Sequence, residues 1–121
     1  ALYLENKSEC SPAMQSKIVD AWSKSESYAL SIYQTASNLM AGGSIGSESS
    51  LGKIFWSELD YMMHETALKI LGASAELVDE EQHNGAKWIK GFMFSYAGPI
   101  YAGTNEIQKN IIAERLLGLP R

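Results

Sequence analysis

One long helix limits the possible folds of this chain more than any other feature. Between Pro12 and Gly42, apolar residues recur every three or four positions, a spacing that places them on one face of an α-helix. They are Met14, Ile18, Ala21, Trp22, Tyr28, Ala29, Ile32, Tyr33, Ala36, Leu39 and Met40. Ser11 can cap the start of this helix, and the pair Gly42 and Gly43 ends it. A helix of about 31 residues is roughly 45 Å long, which favours a helical bundle with one buried stripe.

Three further segments carry the same periodicity, and each ends at a glycine or a proline. The sequence predicts helices over Ser50–Leu71, Gly85–Tyr96 and Thr104–Leu117. The acidic stretch from residue 73 to residue 84 is predicted to be a loop. No segment shows the period of two that indicates a half-buried β-strand. We therefore predict an all-α fold, an up-down helical bundle of four helices.

The composition excludes several classes of protein. Apolar residues make up 45% of the 121 residues, which is enough for a packed core. The net charge of −4 argues against a nucleic-acid-binding protein. The chain lacks a run of about eighteen apolar residues, so we expect no membrane span. The single cysteine, Cys10, cannot form an intrachain disulfide, which fits a reducing, cytoplasmic location.

The first residues read as the end of a helix rather than its beginning. Residue 1 is Ala, and the opening string ALYLEN lacks both a cap residue and a polar first turn. We therefore expect that the chain is one domain, residues 1–121, cut from a longer polypeptide.

The string IYAGTNEIQKNIIAER, from Ile100 to Arg115, is the most specific local feature of the sequence. A glycine turn leads into a helix that Thr104 can cap, with Glu106 in the first turn, at the positive end of the helix dipole. Free N–H groups at such a helix start can receive an anion or a polar ligand. On physical grounds alone, an ordinary capped helix is the simpler interpretation.

The same string, extended to IYAGTNEIQKNIIAERLLGLP, resembles the closing signature of the acyl-CoA dehydrogenases, flavoenzymes that oxidise acyl-CoA thioesters to enoyl-CoA. A second string, SLGKIFWSELDYMMHETALKILG, is similar to the preceding long helix of that family. The resemblance implies that the chain is the C-terminal helical domain of the family's fold. It also implies that the first helix of the bundle precedes Ala1, and that FAD binds between domains and partly across a subunit interface.

Two segments are implied in binding FAD by this resemblance. The first matches residues that touch the flavin nucleotide at the start of the last helix, and it consists of Thr104, Asn105 and Glu106. The second matches residues that contact the FAD of a neighbouring subunit, and it consists of Leu71, Gly72 and Ala73. The sequence departs from the family at the second segment, because Lys69 stands where many members have Gln and Ala73 where many have Gly.

The residues implied at the acyl substrate are Tyr101, Ala102 and Gly103. The family's reaction needs a carboxylate that removes the α-proton as a hydride leaves the β-carbon for the flavin. In many members this carboxylate follows the Tyr of an IYEGT string, the position that Ala102 occupies here, and an alanine cannot accept a proton. Some branches of the family carry the Glu on the first bundle helix instead. Another branch pairs two unlike subunits, one of which has lost the base.

Three functions therefore remain open. The chain is the FAD-contacting and oligomerisation domain of an acyl-CoA dehydrogenase, a non-catalytic subunit of a mixed dehydrogenase complex, or a free-standing helical interaction module. The first two imply acyl-CoA, FAD and other subunits of a homo- or hetero-oligomer as partners. We predict no metal site, because Asp60 and His64 are four residues apart on one helix but lack a third ligand.

Overall fold

The computed structural model of the chain describes residues 2–77 and 85–120. Its α-helices are α1 (Leu2–Glu5), α2 (Pro12–Met40), α3 (Ser49–Leu71), α4 (Gly85–Ser95) and α5 (Asn105–Ile111). Two 3₁₀ helices cover Lys7–Glu9 and Gly72–Glu76, and a π-helix, Ile112–Leu116, follows α5 directly. The described residues contain no β-strand, and the predicted all-α fold is confirmed.

Both ends of α2 lie where the sequence predicts them. The Ser11 hydroxyl accepts a hydrogen bond from the Met14 N–H at 3.2 Å, as an N-cap does. At the other end Gly42 adopts a left-handed φ of +85°, and the Gly43 N–H bonds back to the Asn38 carbonyl at 2.9 Å. This arrangement is a Schellman motif, which satisfies carbonyl groups that the helix end would leave free.

Two predicted elements differ from the structure near their ends. The predicted helix Thr104–Leu117 is α-helical only to Ile111, and in the π-helix beyond it the Leu117 N–H bonds to the carbonyl of Ile112, five residues back. The predicted loop begins instead with the 3₁₀ helix, because Ala75 is buried and holds this turn against the bundle. Residues 78–84, which include the acidic run, lie outside the described residues.

Helix α3 lies between α2 and α4. Tyr28 of α2 stacks on Phe55 of α3 with ring centroids 6.0 Å apart, and the Lys24 ammonium reaches the Met62 sulfur at 3.9 Å. Since the earlier residue of α2 meets the later residue of α3, these two helices run antiparallel. This is the up-down arrangement that the sequence predicts.

Aromatic contacts join α3 to α4 in the same antiparallel sense. The Tyr61 ring meets the edge of the Tyr96 ring at 5.1 Å between centroids, and His64 meets Trp88 at 5.7 Å. The hydroxyls of Tyr61 and Tyr96 are 3.4 Å apart, and this hydrogen bond raises the pKa of Tyr61. A Cβ added at Gly91 would overlap the His64 ring, which would have to turn from its present contact with Trp88 to make room.

The apolar stripe of α2 is only partly buried, and the prediction of one buried face was wrong. Ala21 is 8% exposed, whereas Trp22 is 66%, Tyr33 70% and Met40 90% exposed. Periodicity shows which residues share a side of a helix, but it does not show whether a neighbour covers that side. Here α3 packs against one side of α2, and the other side carries the exposed apolar residues Val19, Trp22, Leu30, Tyr33 and Met40.

A groove of about 990 Å³ opens between the second half of α2 and the first half of α3. Tyr28, Ile32, Ile54 and Phe55 contribute to its apolar lining. The family resemblance implies that the first helix of the bundle precedes Ala1, and a bundle without one of its helices is expected to leave such a groove. The groove and the exposed side of α2 together leave apolar side chains on two faces of this helix open to solvent.

Candidate functional site

The turn before α5 contains two consecutive residues in the left-handed region. Ala102 has φ +54° and Gly103 has φ +87°. Glycine adopts this conformation freely, whereas for alanine it costs roughly 1–2 kcal/mol. The Gln108 side chain offsets this cost, since its amide N–H donates to the Ala102 carbonyl at 2.9 Å. A residue of α5 thus holds the turn that precedes α5.

Tyr101 lies in an aromatic setting beside this turn. Its ring centroid is 5.9 Å from that of Trp56 on α3 and 6.4 Å from that of Phe94 on α4. Tyr101 nevertheless remains 41% exposed, and Ala102 and Gly103 are also exposed. The three residues that the resemblance implies at the substrate therefore form one exposed edge, and aromatic side chains of two helices support it.

The backbone N–H groups at the start of α5 have partners within the chain. The Asn105 N–H bonds to the Pro99 carbonyl at 2.9 Å, and the Ile107 N–H bonds to the Thr104 hydroxyl at 3.3 Å. The Glu106 carboxylate accepts from its own backbone N–H and from the Thr104 hydroxyl. Because the first-turn donors have partners and a carboxylate lies over them, this helix start favours a ligand hydroxyl or amine over an anion.

Ionised Glu106 is part of this cap. The hydrogen bond from its own backbone N–H, then that from Thr104, lowers the pKa of the Glu106 carboxyl. Since folding lowers this pKa, the ionised group stabilises the folded chain above the pKa of the unfolded chain. The contribution is lost as the pH falls through the folded-state pKa.

A buried polar network connects the start of α5 to α3. The Lys53 ammonium donates to the Asn105 amide oxygen at 2.7 Å, and the Asn105 amide N–H donates to the Ser57 hydroxyl at 3.1 Å. Ser57 itself donates to the Ile54 carbonyl at 2.9 Å. Asn105 is 5% and Ser57 0% exposed, so the contact between them is shielded from water, whereas Lys53 is partly buried.

Asp60 and His64, the pair weighed as metal ligands, contact each other on α3. The His64 Nδ1 lies 3.3 Å from the Asp60 carboxylate and 2.9 Å from the Asp60 carbonyl oxygen. Within residues 2–77 and 85–120, no three His, Cys, Asp or Glu side chains are grouped as a metal site. The absence of a metal from the complete protein stays a prediction.

Comparison with known proteins identifies the family. The sequence model described as "Acyl-CoA dehydrogenase, C-terminal domain" matches residues 10–117 of the chain. The chain belongs to the acyl-CoA dehydrogenase family. This membership confirms the resemblance read from the last helix and agrees with the helical fold. Members of this family generally use FAD, whereas FAD binding by this chain stays a proposal.

The chain is 30% identical over 113 residues to acyl-CoA dehydrogenase IpdE1 of Mycobacterium tuberculosis and, to the same extent, to that of Mycolicibacterium smegmatis. Each alignment covers 91% of this chain, but only 28% and 26% of these two relatives. The chain therefore spans little more than a quarter of the length of these relatives. No solved structure matches the chain at a significant level.

The two segments implied in FAD binding lie far apart on this acyl-CoA dehydrogenase domain. The first, Thr104 to Glu106, lies against the first half of α3 through Lys53, whereas Leu71 ends α3. Lys53 and Leu71 are 18 positions apart on α3, which separates the two segments by roughly 27 Å. Gly72 has a left-handed φ of +53°, and both it and Ala73 are exposed. This separation is compatible with contacts to two different FAD molecules, and both assignments stay predictions.

Lys53, Ser57 and Gln108 were missed by the sequence analysis, although they hold the site together. The sequence contains one indication of this network. Ser50, Lys53 and Ser57 are polar residues at helical steps of three and four, and Asp60 and His64 continue the same row along the helix. A polar stripe of this kind indicates a buried polar partner elsewhere in the fold, but it does not identify Asn105, 52 residues further along.

Among the described helices, none is both long and apolar enough to cross a membrane.

Proposed function

We propose that this chain is the C-terminal, FAD-contacting and oligomer-forming domain of an acyl-CoA dehydrogenase that acts in fatty acid metabolism. The reaction is the α,β-dehydrogenation of an acyl-CoA thioester. One observation carries the proposal. The exposed edge from Tyr101 to Gly103 and the capped start of α5 form one continuous surface, which the Lys53–Asn105 contact holds on α3. Family membership adds the class of chemistry.

The residues present at this surface fit the hydroxyl-bearing parts of FAD. Thr104 offers the remaining lone pair of its hydroxyl oxygen and Glu106 an ionised carboxylate, and both accept hydrogen bonds from ribityl or ribose hydroxyls. The same carboxylate repels phosphate, so the pyrophosphate belongs to other residues of the complete protein. Bound FAD would accept the hydride from the substrate's β-carbon. The acyl chain would pack beside Tyr101, where Trp56 provides an apolar wall.

The catalytic base is proposed to come from outside residues 1–121. Ala102 occupies the position from which many family members supply it, and its methyl group holds no proton acceptor. We propose that the base is a Glu on the first bundle helix, preceding Ala1. The exposed apolar side of α2 is proposed to be covered by that helix and by other subunits, because such surface is rarely left bare.

Ala102 also favours a second candidate function, the non-catalytic subunit of a mixed complex. Anaerobic mixing of the purified complete gene product with a series of acyl-CoA thioesters separates the two. The first proposal predicts that one of them bleaches the visible absorbance of the oxidised flavin and yields one enoyl-CoA per flavin. Flavin that is bound but never reduced by an acyl-CoA, unless an unlike subunit is added, would favour the second candidate.

A further inference from the structure

The Lys53 side chain has an unusual position for a cation. Its ammonium is partly buried beside the first turn of α5, at the end of the helix where the backbone dipole disfavours positive charge. Packing alone does not require a charged group there. What the ammonium provides is a short, charge-assisted hydrogen bond of 2.7 Å to the Asn105 amide oxygen.

The contact between Lys53 and Asn105 fixes the Asn105 side chain and, through it, the start of α5. With its oxygen held by Lys53 and its amide N–H held by Ser57, the Asn105 side chain is fixed at both ends. The Asn105 backbone N–H bonds to the Pro99 carbonyl, so the turn that leads to Tyr101 is anchored at the same point. Movement of Lys53 would therefore displace the turn and the helix start together.

We propose that Lys53 is a positioning residue of the flavin site, which fixes the first turn of α5 through Asn105 and keeps a positive charge beside Glu106. This inference rests on the proposed function, because it assumes that Thr104 and Glu106 face FAD. Lys53 touches neither reacting atom nor substrate in this account. It acts through Asn105, to which it donates a hydrogen bond, and through Glu106, to which it presents its charge.

The pKa of Glu106 distinguishes the effect of the Lys53 charge from the effect of the Lys53–Asn105 hydrogen bond. The Lys53 ammonium is one of the groups that lower the pKa of Glu106, after the backbone and Thr104 hydrogen bonds and the Lys109 charge. Removal of the Lys53 charge therefore raises this pKa. If ionised Glu106 accepts hydrogen bonds from FAD, affinity for FAD falls as the pH drops through the Glu106 pKa. Loss of the Lys53 charge moves this fall to higher pH.

The test uses the complete gene product and measures the dissociation constant of FAD across acidic pH for three variants. Lys53→Gln removes the charge but keeps a polar side chain, and we expect about tenfold weaker FAD binding with the acidic fall moved to higher pH. Lys53→Arg keeps the charge and is expected to stay within about threefold of the unmodified protein. Lys24→Met is the control, because Lys24 forms an exposed pair with Asp20 on α2.

Each result supports or overturns the proposal. Equal losses in Lys53→Gln and Lys53→Arg, or a loss in Lys53→Gln that is the same at every pH, would reduce Lys53 to a packing role and overturn it. A Lys53→Gln variant that does not fold would assign Lys53 to the fold as a whole and also overturn it. If the unmodified protein binds no FAD, the proposed function has failed instead, which is a distinguishable outcome.

Discussion

Replacement of Asn105 by Leu is expected to lower the free energy of unfolding of this domain by about 2–4 kcal/mol. Leu has the same number and branching of side-chain heavy atoms as Asn but bulkier methyl groups, so no cavity forms. The loss comes from the removed hydrogen bonds, with a smaller contribution from overpacking. Asn105 is 5% exposed and is the acceptor for the partly buried Lys53 ammonium at 2.7 Å. A leucine there leaves that charge facing an apolar side chain, and the Ser57 hydroxyl loses its donor.

Asn110→Leu is the matched control, because Asn110 is an exposed residue of the same helix. The expected change for this variant is within about 0.5 kcal/mol, as for most surface substitutions. Urea unfolding of both variants of the complete gene product, followed by circular dichroism, measures the difference. Equal midpoints for the two variants would show that the Lys53–Asn105–Ser57 network does not stabilise the fold.

Thr104→Arg is expected to raise the dissociation constant for FAD by roughly ten- to a hundredfold. Thr104 is the N-cap of α5, and its hydroxyl both accepts from the Ile107 N–H and donates to the Glu106 carboxylate. Arginine removes this cap and places a long side chain across the surface on which FAD is proposed to lie. It also adds a second positive charge next to Lys53 at the same helix start.

Thr104→Ser tests whether the hydroxyl or the bulk matters. Serine caps a helix as well as threonine does, so this variant is expected to bind FAD within about threefold of the unmodified protein. Fluorescence titration with FAD measures both variants, since protein binding changes flavin emission. An unchanged dissociation constant in Thr104→Arg would remove the start of α5 from the flavin site.

The parts of the fold that the sequence predicts correctly depend on neighbouring residues. Ser11 and Thr104 both cap helices as predicted, because a cap involves only the next three residues. Gly42 ends α2 with a positive φ for an equally local reason. The family signature after Gly98 is also a continuous string, so it could be recognised without any knowledge of the fold.

The features that the sequence does not reveal are contacts between distant residues. Lys53 and Asn105 are 52 positions apart, and neither residue type indicates the other. Trp22 has the spacing of a core residue but is 66% exposed, because burial depends on a covering neighbour rather than on period. The residue type of Ala102 shows that it cannot act as a base. Its left-handed backbone could not be read in the same way, because the Gln108 side chain that holds it lies six residues later.

Amide hydrogen exchange of the complete gene product, with and without FAD, tests whether the start of α5 lies against the flavin. We expect FAD to slow exchange in residues 99–108, where the turn and the start of α5 form the proposed flavin surface. The exposed side of α2, around Trp22 and Tyr33, supplies the comparison within the same experiment. FAD that binds without any slowing in residues 99–108 would contradict the assignment of this surface to the flavin.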